Sequence, residues 1–116
     1  MKYSGSCHCD AVHFEFYAEE ITTALRCNCS MCKRRGAAMS DFFLAASDLK
    51  IKRGADTLRT YQFGTQVAKH YFCGHCGIYP FHETMRKPGY YRVNLGCVEG
   101  IDAYELPCTV FDGKDL

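Results

Sequence analysis

Nine cysteines in a chain of 116 residues constrain this protein more than any other feature, and seven of them fall in tight groups. The groups are Cys7-x-Cys9, Cys27-x-Cys29-x-x-Cys32 and Cys73-x-x-Cys76, with Cys97 and Cys108 standing alone. An odd count, behind a start ("MKYSGSCHCD") that lacks the apolar stretch of a secretory leader, argues against a disulfide framework. Thiols one residue apart rarely join, because the small ring is strained. Two thiolates on one turn readily face a single ion about 2.3 Å from each sulfur. The chain is therefore expected to fold around metal-binding cysteine pairs.

The pattern between the cysteines is that of strands. In "AVHFEFYA", Val12, Phe14 and Phe16 alternate with His13, Glu15 and Tyr17, as in a half-buried strand. "TLRTYQF" (57–63), "QVAKHYFC" ending at Cys73 and "YYRVNLGCV" ending at Val98 follow the same style. Helical signals are short: Ser30 could cap a turn through Met31 to Arg35, and Ser47 or Asp48 could start another before Leu49. Pro88-Gly89 marks a turn. The expected fold is a single all-β domain over residues 1–116, mainly antiparallel, a complex folded sheet stapled by zinc-binding cysteine pairs.

A formal charge of +1 and a pI near 7.5 give no global attraction to nucleic acid or an anionic membrane. The longest purely apolar run is "FFLAA" at Phe42 to Ala46, too short to span a bilayer, so a cytoplasmic protein is expected. The end, "DGKDL", carries no receptor-read address.

"FCGHCG" has the outline of a zinc knuckle, with Gly74 and Gly77 allowing a tight turn and close approach of backbone N–H groups to the sulfurs. A knuckle needs a second pair, and Cys7 with Cys9 is the natural one, giving a structural site of Cys7, Cys9, Cys73 and Cys76. Four thiolates accept zinc or iron. Structural zinc is worth roughly 10–16 kcal/mol in apparent binding free energy, against a net stability of roughly 5–15 kcal/mol for a whole domain. Cys27, Cys29 and Cys32 then form a three-thiolate set, and three protein ligands with one open position is the pattern of a catalytic zinc. Three thiolates make the ion a poor acid for water, but it can hold an incoming thiol as its thiolate. Two other readings remain open at this point: Cys97 or Cys108 folds back to close the site, or Cys29 and Cys32 form a redox C-x-x-C pair.

"GSCHCDAVHFEF", "CNCSMCKRRGA" and "HYFCGHCGIYPFH", in that order, resemble the glutathione-dependent formaldehyde-activating enzyme family. "HYFCGHCGI" followed by "RKPGYYRVNLGCVEG" is similar to its centromere-protein-V-like branch. The resemblance implies an all-β domain with two zinc ions per chain, one structural on Cys7, Cys9, Cys73 and Cys76 and one catalytic on Cys27, Cys29 and Cys32. It implies condensation of glutathione with formaldehyde to S-hydroxymethylglutathione, a carbon–sulfur lyase reaction in the reverse sense. Asp10 stands where the family commonly has glycine, and tolerates left-handed backbone better than most residues. Asn28 stands where it often has histidine.

Glutathione carries two carboxylates, so cations are expected at its site. Lys33, Arg34 and Arg35 follow the three-thiol group and Arg86 precedes the Pro-Gly turn. Arg35 and Arg86 are the first candidates, since a guanidinium clamps a carboxylate through two parallel bonds. His8 and His75 are expected at the surface beside metal, His70 and His82 as packed residues, with His82 a candidate proton shuttle. The expected partners are thus a small thiol and a small aldehyde, with neither membrane nor nucleic acid. The alternative is a non-catalytic, zinc-stabilised module that binds protein or nucleic acid.

Overall fold

The computed structural model of the protein describes residues 1–115; Leu116, the last residue of "DGKDL", lies outside them. The architecture is all-β and mainly antiparallel, built as three small sheets. In the first, β1 (Lys2–Ser6) pairs with β2 (His13–Tyr17) from Lys2↔Tyr17 to Ser6↔His13, and β6 (Leu49–Arg53) flanks β2 across a bulge at His13/Phe14. Val12, Phe14 and Phe16 point into the core, the face their alternation predicts. The β1–β2 turn carries Cys7 and Cys9.

The largest sheet runs β5 (Leu44–Ala45), β10 (Tyr90–Val93), β9 (Phe81–Glu83), β8 (Lys69–Cys73), β7 (Leu58–Tyr61). It delivers Cys73 at the end of β8 and places His70 opposite His82. In the third sheet β3 (Ala24–Cys27) pairs antiparallel with β4 (Met39–Ser40) and parallel with β11 (Cys108–Phe111). A short α-helix, α1 (Ser30–Arg35), follows β3. Among the described residues no helix is long and apolar enough to cross a membrane.

The aromatic residues of β2 weld the sheets together. Phe14 meets Phe81 of β9 edge-on at 5.4 Å, and Phe16 stacks on Tyr3 of β1 at 5.3 Å. Gly5 lies beneath this cluster, where a Cβ would stand 2.4 Å from Phe14 Cζ. A larger residue there would push β1 off the core.

Three local readings are corrected. Ser30 does not cap α1: the cap is Cys29, whose Sγ accepts the Cys32 N–H at 3.3 Å. The helix ends at Gly36, which takes the left-handed φ of 72°. "YYRVNLGCV" is a strand only to Val93. There Asn94 Oδ1 accepts the Gly96 N–H at 3.0 Å and turns Leu95–Cys97 into a 3₁₀ turn, the local side-chain bond that competes with a ladder. The single turn before Leu49 is present as Ala46–Asp48, but neither Ser47 nor Asp48 starts it: its cap is Ala45, with no side-chain bond.

Candidate metal centres and active-site cavity

Cys7 and Cys9 come from the β1–β2 turn, Cys73 and Cys76 from the turn after β8, and the fold brings them together across more than sixty residues of chain. Asp10 takes φ 71°, the left-handed geometry expected of the residue that follows Cys9. Gly77 takes φ 79°, and its N–H donates to the Cys73 carbonyl at 2.9 Å to close the knuckle. The sulfurs of Cys7 and Cys9 are 3.7 Å apart, as are those of Cys9 and Cys73. A tetrahedron with bonds of about 2.3 Å to sulfur has edges of about 3.8 Å, so the donor set fits a zinc-sized ion. Backbone N–H groups already face these sulfurs: Val12 donates to Cys7 Sγ at 3.3 Å and His75 to Cys73 Sγ at 3.4 Å. His8 and His75 are exposed and outside the cluster.

Without a cation the four thiols cannot all ionise. Burial opposes ionisation of Cys76, but the Ile78 and Cys9 N–H groups and neighbouring thiols outweigh it and bring the group down to about 6. Cys9 receives a favourable N–H from Ala11, yet burial and the sulfurs of Cys73, Cys7 and Cys76 push it up to about 12. A bound dication would release the remaining protons.

Cys27 at the end of β3, Cys29 at the cap of α1 and Cys32 on its first turn form the second cluster, with all sulfurs within 4.8 Å of one another. Burial disfavours the Cys29 thiolate, but the N–H groups of Cys32 and Met31 hold the group below its ordinary value. Cys32 is pushed up to about 12 by burial, against the pull of the Arg35 charge. Neither Cys97 nor Cys108 joins either cluster. Cys97 packs against the core, its thiol pushed up to about 12 by burial, and Cys108 is exposed on β11.

The three thiols open onto a cavity of about 350 Å³ that also receives Arg35, His70, His82, Arg86 and Arg92. Its size is that of a small-molecule site. Of the "KRR" run, Lys33 and Arg34 face solvent while Arg35 turns inward. Arg86 also lines the cavity, with its guanidinium 4.8 Å over the Phe111 ring.

Arg35 leads a buried polar chain that the sequence did not reveal. Its Nη1 donates to Tyr79 Oη at 3.0 Å and to His82 Nδ1 at 3.3 Å, and Tyr79 Oη lies 2.5 Å from His70 Nδ1. With Arg35 donating to Tyr79, the phenol donates onward to His70, so both imidazoles carry their proton on Nε2. His70 Nε2 and Arg35 Nε are buried without a partner. Such orphan donors beside a cavity are waiting for an acceptor. Burial, reinforced by the Arg35 charge, lowers His70 to about 4 and His82 well below its ordinary value, so both rings are neutral at pH 7. Tyr79 is raised by burial despite Arg35. In sequence His70 and His82 read as packed residues, His82 also as a candidate proton shuttle, and nothing there links them to Tyr79; the signal available was two histidines recurring inside aromatic strands.

Over residues 2–112 the chain matches the family described as glutathione-dependent formaldehyde-activating enzyme, and it belongs to that family. A protein of Halomonas elongata, provisionally named a glutathione-dependent formaldehyde-activating enzyme, is 29% identical over 82 residues. The match takes in 66% of this chain and 52% of that protein, so the chain spans about half the length of that relative. A crystal structure of a Rhodobacter sphaeroides protein superposes with a TM-score of 0.82 at 44% identity, covering 91% of this chain and 99% of that one.

Two outcomes follow from the site. Cys73→Ser removes a fully buried member of the four-sulfur cluster and is expected to abolish the cooperative thermal transition, whereas Cys108→Ser keeps it; a Cys73→Ser protein melting like the parent contradicts a structural role for the cluster. His70 also has a pH signature. Because its folded value is depressed to about 4 from 6.5, the unfolded chain binds the extra proton, and stability is lost as pH falls from about 6.5 toward 4. Denaturant midpoints across that range should fall less steeply for His70→Gln than for the parent, and parallel profiles would contradict the assignment.

Proposed function

We propose that this chain is a zinc-dependent carbon–sulfur lyase of the S-(hydroxymethyl)glutathione synthase type, condensing glutathione or a similar thiol with formaldehyde or a related small aldehyde. The observation that carries this reading is the opening of Cys27, Cys29 and Cys32 onto a cavity that also receives three arginines and two neutral histidines. Membership of the family supports it. A zinc ion on these three thiolates would keep a fourth, incoming sulfur deprotonated at neutral pH. Cys7, Cys9, Cys73 and Cys76 would hold a second ion whose task is structural.

The protein's own groups do the rest. Arg35 and Arg86, both lining the cavity, present guanidinium groups to the carboxylates of the thiol. As the carbon–sulfur bond forms, the carbonyl π bond opens onto oxygen, and a proton must reach that oxygen. The Nε2–H groups of His70 and His82 are the donors that would steady the developing charge, with Tyr79 and Arg35 fixing their tautomers.

Calorimetric titration of glutathione into the zinc-loaded protein tests this reading. Saturable binding is expected, absent in Cys29→Ser and weakened about 10-fold or more in Arg35→Ala, since a hydrogen bond to a charged group is worth roughly 1.5–3 kcal/mol. No saturable binding by the parent would overturn it.

A further inference from the structure

The residue between two of the three thiols is tied to a distant part of the chain. The Asn28 N–H donates to the Phe111 carbonyl at 3.1 Å, its Nδ2 donates to Asp112 Oδ1 at 3.0 Å, and its Oδ1 accepts the Lys114 N–H at 3.0 Å. The backbone N–H and side-chain amide of this one residue thus hold both ends of a four-residue segment. Inside that grip Gly113 passes against the Cys27 sulfur and the Cys29 side chain: a Cβ there would lie 2.4 Å from Cys27 Sγ and 3.3 Å from Cys29 Cβ. Gly113 is not among the glycines with left-handed φ, so here the missing side chain serves close approach to sulfur and not backbone freedom.

Phe111 and Gly113 both line the cavity. β11, which leads into this segment, is exposed along its length and, among the described residues, pairs with β3 alone. Strands held on one edge with little burial open readily, so the bonds at the end of the segment decide whether it stays down. Arg86 stacks on Phe111, its guanidinium 4.8 Å from the ring.

We propose that Asn28 is a positioning residue that clamps Phe111–Lys114 as a wall across the three thiols, so that the wall sets which thiols reach them and how quickly a bound ion escapes. This rests on the reading of Cys27, Cys29 and Cys32 as a thiol-accepting metal centre. The histidine suggested at this position by family resemblance could not reproduce the same pairing, since the clamp needs a donor and an acceptor side by side at the tip of a short side chain.

The pairing can be reversed. Asn28→Asp keeps an acceptor for the Lys114 N–H but sets a carboxylate against that of Asp112. Adding Asp112→Asn restores one donor and two acceptors with the roles exchanged. Two readouts on the zinc-loaded protein report the clamp: hydrogen exchange of the Lys114 amide, and the rate at which a chromophoric chelator removes the more labile zinc. Losing a charge-assisted bond worth roughly 1.5–3 kcal/mol is expected to speed both by about 10-fold or more in Asn28→Asp, with the double variant within about two-fold of the parent. A merely structural defect at position 28 would not be repaired by the second substitution. Unchanged rates in Asn28→Asp, or a double variant as fast as the single one, would overturn the clamp. Neither readout involves glutathione, so failure of the parent to bind it would count against the proposed function and leave the clamp to be judged by these rates.

Discussion

The meeting of Cys7 and Cys9 with Cys73 and Cys76 is the constraint on which the rest of this structure depends. It joins the β1–β2 turn to the end of β8, two segments in different sheets. Val12 is buried between Cys7 and Cys73, so the apolar packing of β2 begins where the sulfurs end. From there Phe14 and Phe16 carry the core across to Phe81 on β9. A chain of this length buries a modest core, and a cation held by four thiolates would supply stabilisation comparable to that of the whole domain.

The cavity beside the three thiols sits one strand further on. Phe81, which anchors β9 in the core, is followed by His82, which faces the cavity beside its register partner His70. The Arg35–Tyr79–His70 chain is therefore fixed at one end by the sheet and at the other by α1, whose cap and first turn carry two of the three thiols. Movement of α1 would shift the guanidinium and the sulfurs together. Such shared support is what holds a reactive group and its binding group in one geometry.

Much of this was written locally and could be read locally. The alternation through Val12, Phe14 and Phe16 marks its strand, and cysteine spacing alone sorts seven thiols into a set of four and a set of three. What could not be read depends on contacts between distant segments. His70 and His82 look like members of aromatic strands, and only the β8–β9 register and the Tyr79 hydroxyl make them a polar cluster. The parallel pairing of β11 with β3 had no signal in "CTVF", because an exposed edge strand shows no alternating face. Cys29 was recognised as a ligand candidate but not as the cap of its own helix, since capping is the habit of oxygen side chains.

Replacement of zinc by cobalt(II) tests the central claim most directly, because absorption from sulfur-to-cobalt charge transfer grows with the number of bound thiolates. If Cys27, Cys29 and Cys32 leave a position for a thiol, adding glutathione will raise this absorption saturably in the parent and not in Cys29→Ser, while an analogue with serine in place of its cysteine will leave it unchanged. A spectrum that glutathione does not alter would mean that no substrate sulfur joins the three thiols, and would contradict the account.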